Sequence, residues 1–534
     1  MRRLAGLLVL VPLTAALVSA TAQSGPDARI ADAACGLPTE WLERIWRGTD
    51  PHRSGEILMV PRFPNFVGNL SHAGPWPYLQ RIPMFWYGPG HIAAAGVEDR
   101  DVTLADVAAT YGRLLDHPWP HGTPMHEAVQ PDTDPPALVV TVVLDGGGRG
   151  VLDTWPDDWP VLASLIHEGT WYEHAIVGSS PSTTAASHAT LGTGLYPREH
   201  GEIDIDMRVG PFLMRSDGNG VRLLVRPTFA DLYDAARGNE PLVGTIGSGI
   251  WHLYMMGHGS MWGHGDRDIA VLRPPIFESD PSGARWRLPD DVRPFFTFPR
   301  YVNGVPSFER YLHELDRQDG RLDEAWREHP FTTLEDGFDT PARIPFQTDV
   351  VEEVIAREGF GTDDVPDLLF VNYKVLDKVG HLWSVNGREM RDTLRWQDEY
   401  LGRLIEILDE RVGRGRWALL VTADHGHQYD PKVSGAFRIA HGQLRHAIDD
   451  RFDDGDGRRV TEAVHSTQVF LDLEELADVG ASVDEVARFL LDFTQSDGAR
   501  YGATEVEPGA RVFEAVIPRG SLAELPCIAT LSDH

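Results

Sequence analysis

Three apolar, β-branched runs each end in a polar turn that carries an aspartate, and this pattern constrains the fold more than any other feature of the chain. Leu138–Leu144 (LVVTVVL) runs into Asp145, 368–371 (LLFV) into Asn372 and then Asp377, and Trp417–Thr422 (WALLVT) into Asp424. Apolar runs without alternation are the signature of strands buried on both faces, which belong to mainly parallel sheets covered by helices. Helical stretches between them, such as 391–412, supply the cover. The fold class is therefore α/β, with a central, mainly parallel sheet between helices. In such sheets ligands collect beyond the carboxyl ends of the strands, so the three aspartates can converge although far apart in sequence.

Asp377-Lys-Val-Gly-His381 and Asp424-His425-Gly426 each couple a carboxylate to an imidazole just after an apolar run. With Asp145 they form a set of hard and borderline donors suited to zinc, manganese or magnesium. Any one of these aspartates alone reads more readily as the cap of a helix or loop than as a ligand. The formal charge of −32, from 48 basic and 80 acidic residues, argues against nucleic acid or an anionic membrane as partner. Bound divalent ions would still dominate the local field and attract phosphate. At 534 residues the chain suffices for one large domain with insertions or for two or three smaller ones.

The first residues read as an export signal over 1–22: Arg2 and Arg3, an apolar run over 4–18, and small residues at Ala20-Thr21-Ala22. The run is short for a bilayer span and no later stretch is longer, so the expectation is a secreted, extracellular protein without a membrane segment after cleavage. The two cysteines, Cys35 and Cys527, can pair in an oxidising compartment.

Thr184 stands four residues before His188, and Thr193-Gly-Leu-Tyr-Pro-Arg-Glu-His200-Gly201 follows. This segment resembles the alkaline phosphatase superfamily, in its type I phosphodiesterase and nucleotide pyrophosphatase branch. The resemblance covers about 138–210 and 365–430, and implies that Thr184 is the catalytic nucleophile and forms a covalent phosphothreonine. It also implies two divalent metal ions, zinc by preference, one on Asp145, Thr184, Asp424 and His425 and the other on Asp377, His381 and one further histidine. The local alternative is that Ser182, Thr183 and Thr184 cap a helix starting near Ala185, an arrangement that would itself present amides to a phosphoryl group.

The further histidine has two main candidates. His465 follows the Asp-His-Gly motif, as in the family's usual order. Upstream, however, Ser71-His72 precedes Met84-Phe-Trp-Tyr-Gly88-Pro89-Gly90 and then Thr103-Leu-Ala-Asp106-Val107, which is similar to the block that normally ends the family's chains. His72 is preferred, with His441 and His427 behind His465, and the chain is expected to be circularly permuted. Permutation places the new termini near one another, which makes a Cys35–Cys527 disulfide the corollary.

The resulting organisation is 23–135, an N-terminal segment with the displaced block; 136–246, a core with the nucleophile; 247–346, a cap insertion; 347–430, a metal-binding core; 431–460, an irregular loop insertion; and 461–534, a C-terminal α/β segment. Two departures from the family bear on substrate. No asparagine stands in Glu202-Ile-Asp-Ile-Asp206, and Ser248 and Ile250 occupy places where some secreted monoesterases of the superfamily carry Lys and Arg. Loss of two cations penalises a dianionic monoester most, so the expected substrate is a small phosphodiester or a nucleotide pyrophosphate bond. Phosphomonoester or phosphonate hydrolysis, and a non-catalytic binding protein on the same fold, are the alternatives.

Overall fold

The computed structural model describes residues 26–218, 220–273, 285–305, 308–318, 320–331, 337–529 and 531. The export segment expected over 1–22 lies outside them. Eight strands form the central sheet, in the order Ile269–Leu272, Val243–Gly247, Asp367–Tyr373, Leu138–Leu144, Trp417–Thr422, Met84–Tyr87, Thr170–Ile176 and Gly96–Thr103. Neighbours are parallel except where Met84–Tyr87 pairs antiparallel with the strands on either side. The α/β class with a mainly parallel sheet is as the apolar runs require.

Leu138–Leu144 lies between the other two diagnostic runs, with Leu144 opposite Tyr373 and Val143 opposite Thr422. This shared register brings the three polar turns out at one end of the sheet. Every residue of Leu138–Leu144 is buried, and alternate side chains serve opposite layers. Leu138, Val140 and Val142 pack with Leu401 and Leu404, while Val139 and Val143 pack with Tyr111, Ala185 and Ala189. Burial of each such Val or Leu is worth about 1.5–3 kcal/mol. The covering helix Arg388–Leu408 buries Leu394, Gln397, Leu401, Leu404 and Leu408 at helical spacing and continues in a π-turn over Asp409–Gly413.

A second, antiparallel sheet of four strands is ordered Thr461–Val464, Gln468–Leu471, Ile57–Pro61, Phe513–Pro518. Its third strand comes from near the start of the chain and the others from near its end. Nearby, Cys35 and Cys527 form a disulfide with Cα atoms 5.5 Å apart.

Two segments are more regular than their composition suggests. Within 247–346, Ile269–Leu272 is an outer strand of the central sheet, a run too short to stand out from its Pro- and Gly-rich surroundings. Within 431–460, His441–Phe452 is a helix; its apolar stripe, Leu444, Ala447 and Ile448, is diluted by charged neighbours in sequence but buried in the structure. Among the described residues no helix is long and apolar enough to cross a membrane.

Candidate active site and metal centre

Thr184 is the first residue of the helix Thr184–Thr193, with Thr183 at the N-cap. Thr183 makes no capping bond through its side chain, contrary to the local alternative, and the Ser182 hydroxyl donates instead to the His72 carbonyl at 2.8 Å. The Thr184 hydroxyl oxygen lies 3.0 Å from Lys374 Nζ and 3.4 Å from His425 Nε2. The helix start therefore aims the hydroxyl into a ring of ionisable groups, with the positive end of the helix behind it.

Asp145 ends its strand, and Gly146 makes the turn with φ +70°. A Cβ at Gly146 would lie 2.7 Å from the Asp377 Cα, so only glycine lets this strand end come so close to the start of the helix Val375–Trp383. The Gly146 amide donates to Asp424 Oδ1 at 3.0 Å. Asp377 and His381 sit four residues apart on the helix Val375–Trp383, and their side chains meet, Oδ1 to Nε2, at 3.2 Å.

His72 reaches the same place from the upstream block. Its Nε2 is 3.7 Å from Asp377 Oδ1, and its ring stacks on His425 with centroids 3.5 Å apart. Candidate donor atoms of His72, Asp377 and His381 lie within 4.8 Å of one another, as do those of Asp145, Asp377 and His425. The structure thus brings together Asp145, Thr184, Asp377, His381, Asp424, His425 and His72. His465 is engaged elsewhere, with Nε2 2.8 Å from Asp206 Oδ2, and His441 contacts Ser466.

Two observations test whether these residues suit metal ions. His72, His381 and His425 each direct Nδ1 to a backbone carbonyl, those of Ser182, Leu70 and Gly426, at 2.9, 3.0 and 2.9 Å. Donation through Nδ1–H leaves each Nε2 lone pair facing the cluster, as metal-binding imidazoles are arranged. Burial holds His72 and His425 well below the ordinary histidine range and hence neutral, against the opposing pull of Asp377. The second observation is charge: Asp145, Asp377 and Asp424 are 0–2% exposed, and the Lys374 ammonium contacts Asp145 and Asp377. Burial, then Asp145, pushes the Asp424 carboxyl well above its usual range. For Asp377 burial works upward, but Lys374 and His381 outweigh it and the carboxyl falls well below. A carboxylate-rich, neutral-imidazole pocket is one that divalent cations complete.

Lys374, His427 and Asn372 at this site gave little sign in the sequence. Lys374 Nζ lies 2.6 Å from Asp145 Oδ1 and 2.8 Å from Asp377 Oδ2. Against the penalty of burial, Asp145, Asp377 and Asp424 hold it charged. His427, ranked last of the candidates, has Nε2 3.2 Å from Asp377 Oδ1; its spacing of two from His425 in an extended run was the available signal. Asn372 donates to Asp145 Oδ2 at 2.9 Å and contacts His188, whose Nδ1 donates to the Thr184 carbonyl at 2.7 Å. Burial pushes His188 down to about 4. Glu202 and Asp204, where an asparagine was missed, are buried, and burial raises both carboxyls.

A family model described as type I phosphodiesterase / nucleotide pyrophosphatase matches residues 139–504, well over half of the chain. Alkaline phosphatase PafA of Elizabethkingia meningoseptica is 26% identical over 157 residues, 28% of this chain and 29% of its own. A protein named calcium-transporting ATPase from Myroides odoratus is 26% identical over 346 residues, 56% of this chain and 61% of its own. Alkaline phosphatase PhoV of Synechococcus elongatus is 23% identical over 172 residues, 31% of each chain. The chain thus spans less than two thirds of the length of each of these relatives. The wild-type PafA crystal structure superposes with a TM-score of 0.48 at 18% identity, over 67% of this chain and 76% of that one. By its match to the family model, the chain belongs to the type I phosphodiesterase / nucleotide pyrophosphatase family of the alkaline phosphatase superfamily.

Proposed function

We propose that the protein is an exported, metal-dependent phosphoric ester hydrolase in which Thr184 is the nucleophile. The observation that carries this reading is the gathering of His72, Asp377 and His381, and of Asp145, Asp377 and His425, beside a threonine hydroxyl that opens a helix and lies 3.4 Å from His425 Nε2. Asp145, Thr184, Asp424 and His425 would hold one divalent ion, and Asp377, His381 and His72 a second. Bound there, the ions supply Lewis-acid stabilisation of the phosphoryl and departing oxygens.

The chain's own groups set up the rest. The Lys374 ammonium, 3.0 Å from the Thr184 oxygen, favours the ionised hydroxyl. The oxygen attacks phosphorus as the bond to the leaving oxygen breaks, the hydroxyl proton ends on the departing alcohol, and a phosphothreonine forms that keeps the second ester group of a diester. Water then cleaves its P–O bond, releases the phosphate product and restores the hydroxyl. Asn372 and His188, both buried, fix Asp145 and the first turn of the Thr184 helix so that this geometry is preorganised.

The mature protein, loaded with zinc, should hydrolyse an aryl phosphodiester, and Thr184→Ala should be inactive but folded with metal retained. A zinc-loaded protein inert toward diesters, monoesters, pyrophosphates and phosphonates would overturn the proposal. Diester preference rests on Ser248 and Ile250 standing where cations are expected. It is weakened by a cationic cavity beside the site.

A further inference from the structure

A small cavity of about 100 Å³ opens beside Thr184, with Lys374 as the wall it shares with the carboxylate cluster. Its charge is opposite to that of the protein as a whole: Arg273, Arg343, Lys374 and Lys378 line it against one carboxylate, Asp339. In a chain of net charge −32, four cations around one small hollow are the reverse of what composition would place there.

Three of its polar atoms are also unmatched. Arg343 is 4% exposed, and its Nε has no hydrogen-bond partner. Two other lining groups, the Ser248 hydroxyl and His252 Nε2, are buried without a partner as well. A buried unpaired donor costs about 1–3 kcal/mol, and more when charged, so three such groups around one cavity point to something that fills it. His252 Nδ1 is 3.2 Å from His188 Nε2, and with His188 receiving that proton the bare Nε2 is the cavity's acceptor, suited to a ligand hydroxyl or a bridging water. Arg343 and Ser248 are donors.

Size restricts the occupant. A hollow of about 100 Å³ has room for several waters or for one phosphate or carboxylate group. It is well below the ~300–1,000 Å³ of a pocket for a drug-sized ligand, which favours a compact polar group.

We propose that this cavity is a subsite for a second small oxyanion, held by Arg343 and Ser248 next to the phosphoryl group being transferred at Thr184. The assignment rests on the hydrolase reading above and deepens it. Cations absent at Ser248 and Ile250 are supplied from other elements, Arg343 from the start of the helix Arg343–Glu358 and Arg273 from the end of the strand Ile269–Leu272. The oxyanion has two sources, a non-reacting phosphate of the substrate or free inorganic phosphate after release.

The test uses the zinc-loaded full mature chain and two readouts. Calorimetric titration with inorganic phosphate reads the subsite without turnover; steady-state kinetics compare inorganic pyrophosphate, which carries a second phosphate, with an aryl methyl phosphodiester, which does not. Arg343→Gln should weaken phosphate binding by about tenfold or more, and Arg343→Lys should recover much of it. Where the substrate's second phosphate is the occupant, Arg343→Gln also raises KM for pyrophosphate about tenfold while KM for the diester stays within about twofold. Where free phosphate is the occupant, it weakens product inhibition and leaves both KM values in place.

Ser248→Ala, which deletes only a hydroxyl, should move the same quantities in the same direction and covers the case in which Arg343→Gln fails to fold. Unchanged phosphate affinity in folded, zinc-retaining Arg343→Gln and Ser248→Ala would overturn the subsite, as would an equal fall in kcat on both substrates with affinity unchanged. A wild type that hydrolyses nothing yet binds phosphate through Arg343 would defeat the hydrolase reading and leave the subsite standing.

Discussion

Replacing Lys374 by methionine removes the ammonium that now neutralises the centre while keeping most of the side chain's volume. At 2.6 and 2.8 Å from Asp145 and Asp377, each attraction is worth roughly 6 kcal/mol gross at an effective dielectric of 20. Removing the cost of burying the ammonium offsets part of this, and an orphaned carboxylate takes up a proton rather than remain charged. The net loss should fall near 3–5 kcal/mol, the usual result of breaking a buried pair. That cost belongs to the metal-free protein, because divalent ions at the same carboxylates would cover the charge that Lys374 leaves behind. Urea unfolding in chelator should therefore show Lys374→Met destabilised by about 3–5 kcal/mol, with most of the difference erased in excess zinc. A loss below about 1 kcal/mol in chelator, or an equal loss with and without zinc, would refute the view that lysine and metal neutralise the same carboxylates.

His72→Ala should lower bound zinc, measured by elemental analysis after gel filtration, whereas His465→Ala should leave it unchanged. Equal metal content in His72→Ala and wild type would count against both the ligand assignment and the proposed permutation. A pH effect follows from two pairs away from the centre, His258 with Asp231 and His465 with Asp206, each at 2.7–2.8 Å. Burial opposes protonation of both imidazoles, but the aspartates overcome it and raise both above the ordinary value. A raised folded value means that each pair contributes fully below about pH 6.5 and is lost as pH climbs through that folded value. The urea midpoint should thus fall over that interval, and less so in His465→Asn; identical pH profiles would contradict the assignment.

The sheet was legible because Leu138–Leu144, 368–371 and Trp417–Thr422 are fully buried strands, whose apolar runs need no partner in sequence to be recognised. Asp145, Asp377, His381, Asp424 and His425 were legible because each follows such a run at a helix or turn start, whereas His72 was reached through the resemblance of its block to the family's usual last one. Lys374 was not, since one lysine after a strand reads as a solvated residue until the folded chain shows three carboxylates around it. Arg343 escaped notice for a similar reason: it opens a helix at the edge of a segment read as cap, and its cavity is assembled from elements far apart in the chain. Ile269–Leu272 and the helix His441–Phe452 were hidden by polar neighbours, because burial there is decided by tertiary packing rather than local composition.

Thr184 itself should take the phosphoryl group. Zinc-loaded protein mixed with an aryl phosphodiester and quenched rapidly in acid should yield, by peptide mass analysis, a phosphorylated fragment that contains Thr184, and Thr184→Ala should yield none. Full turnover with no phosphorylated Thr184 at any quench time, or turnover that survives in Thr184→Ala, would contradict the account.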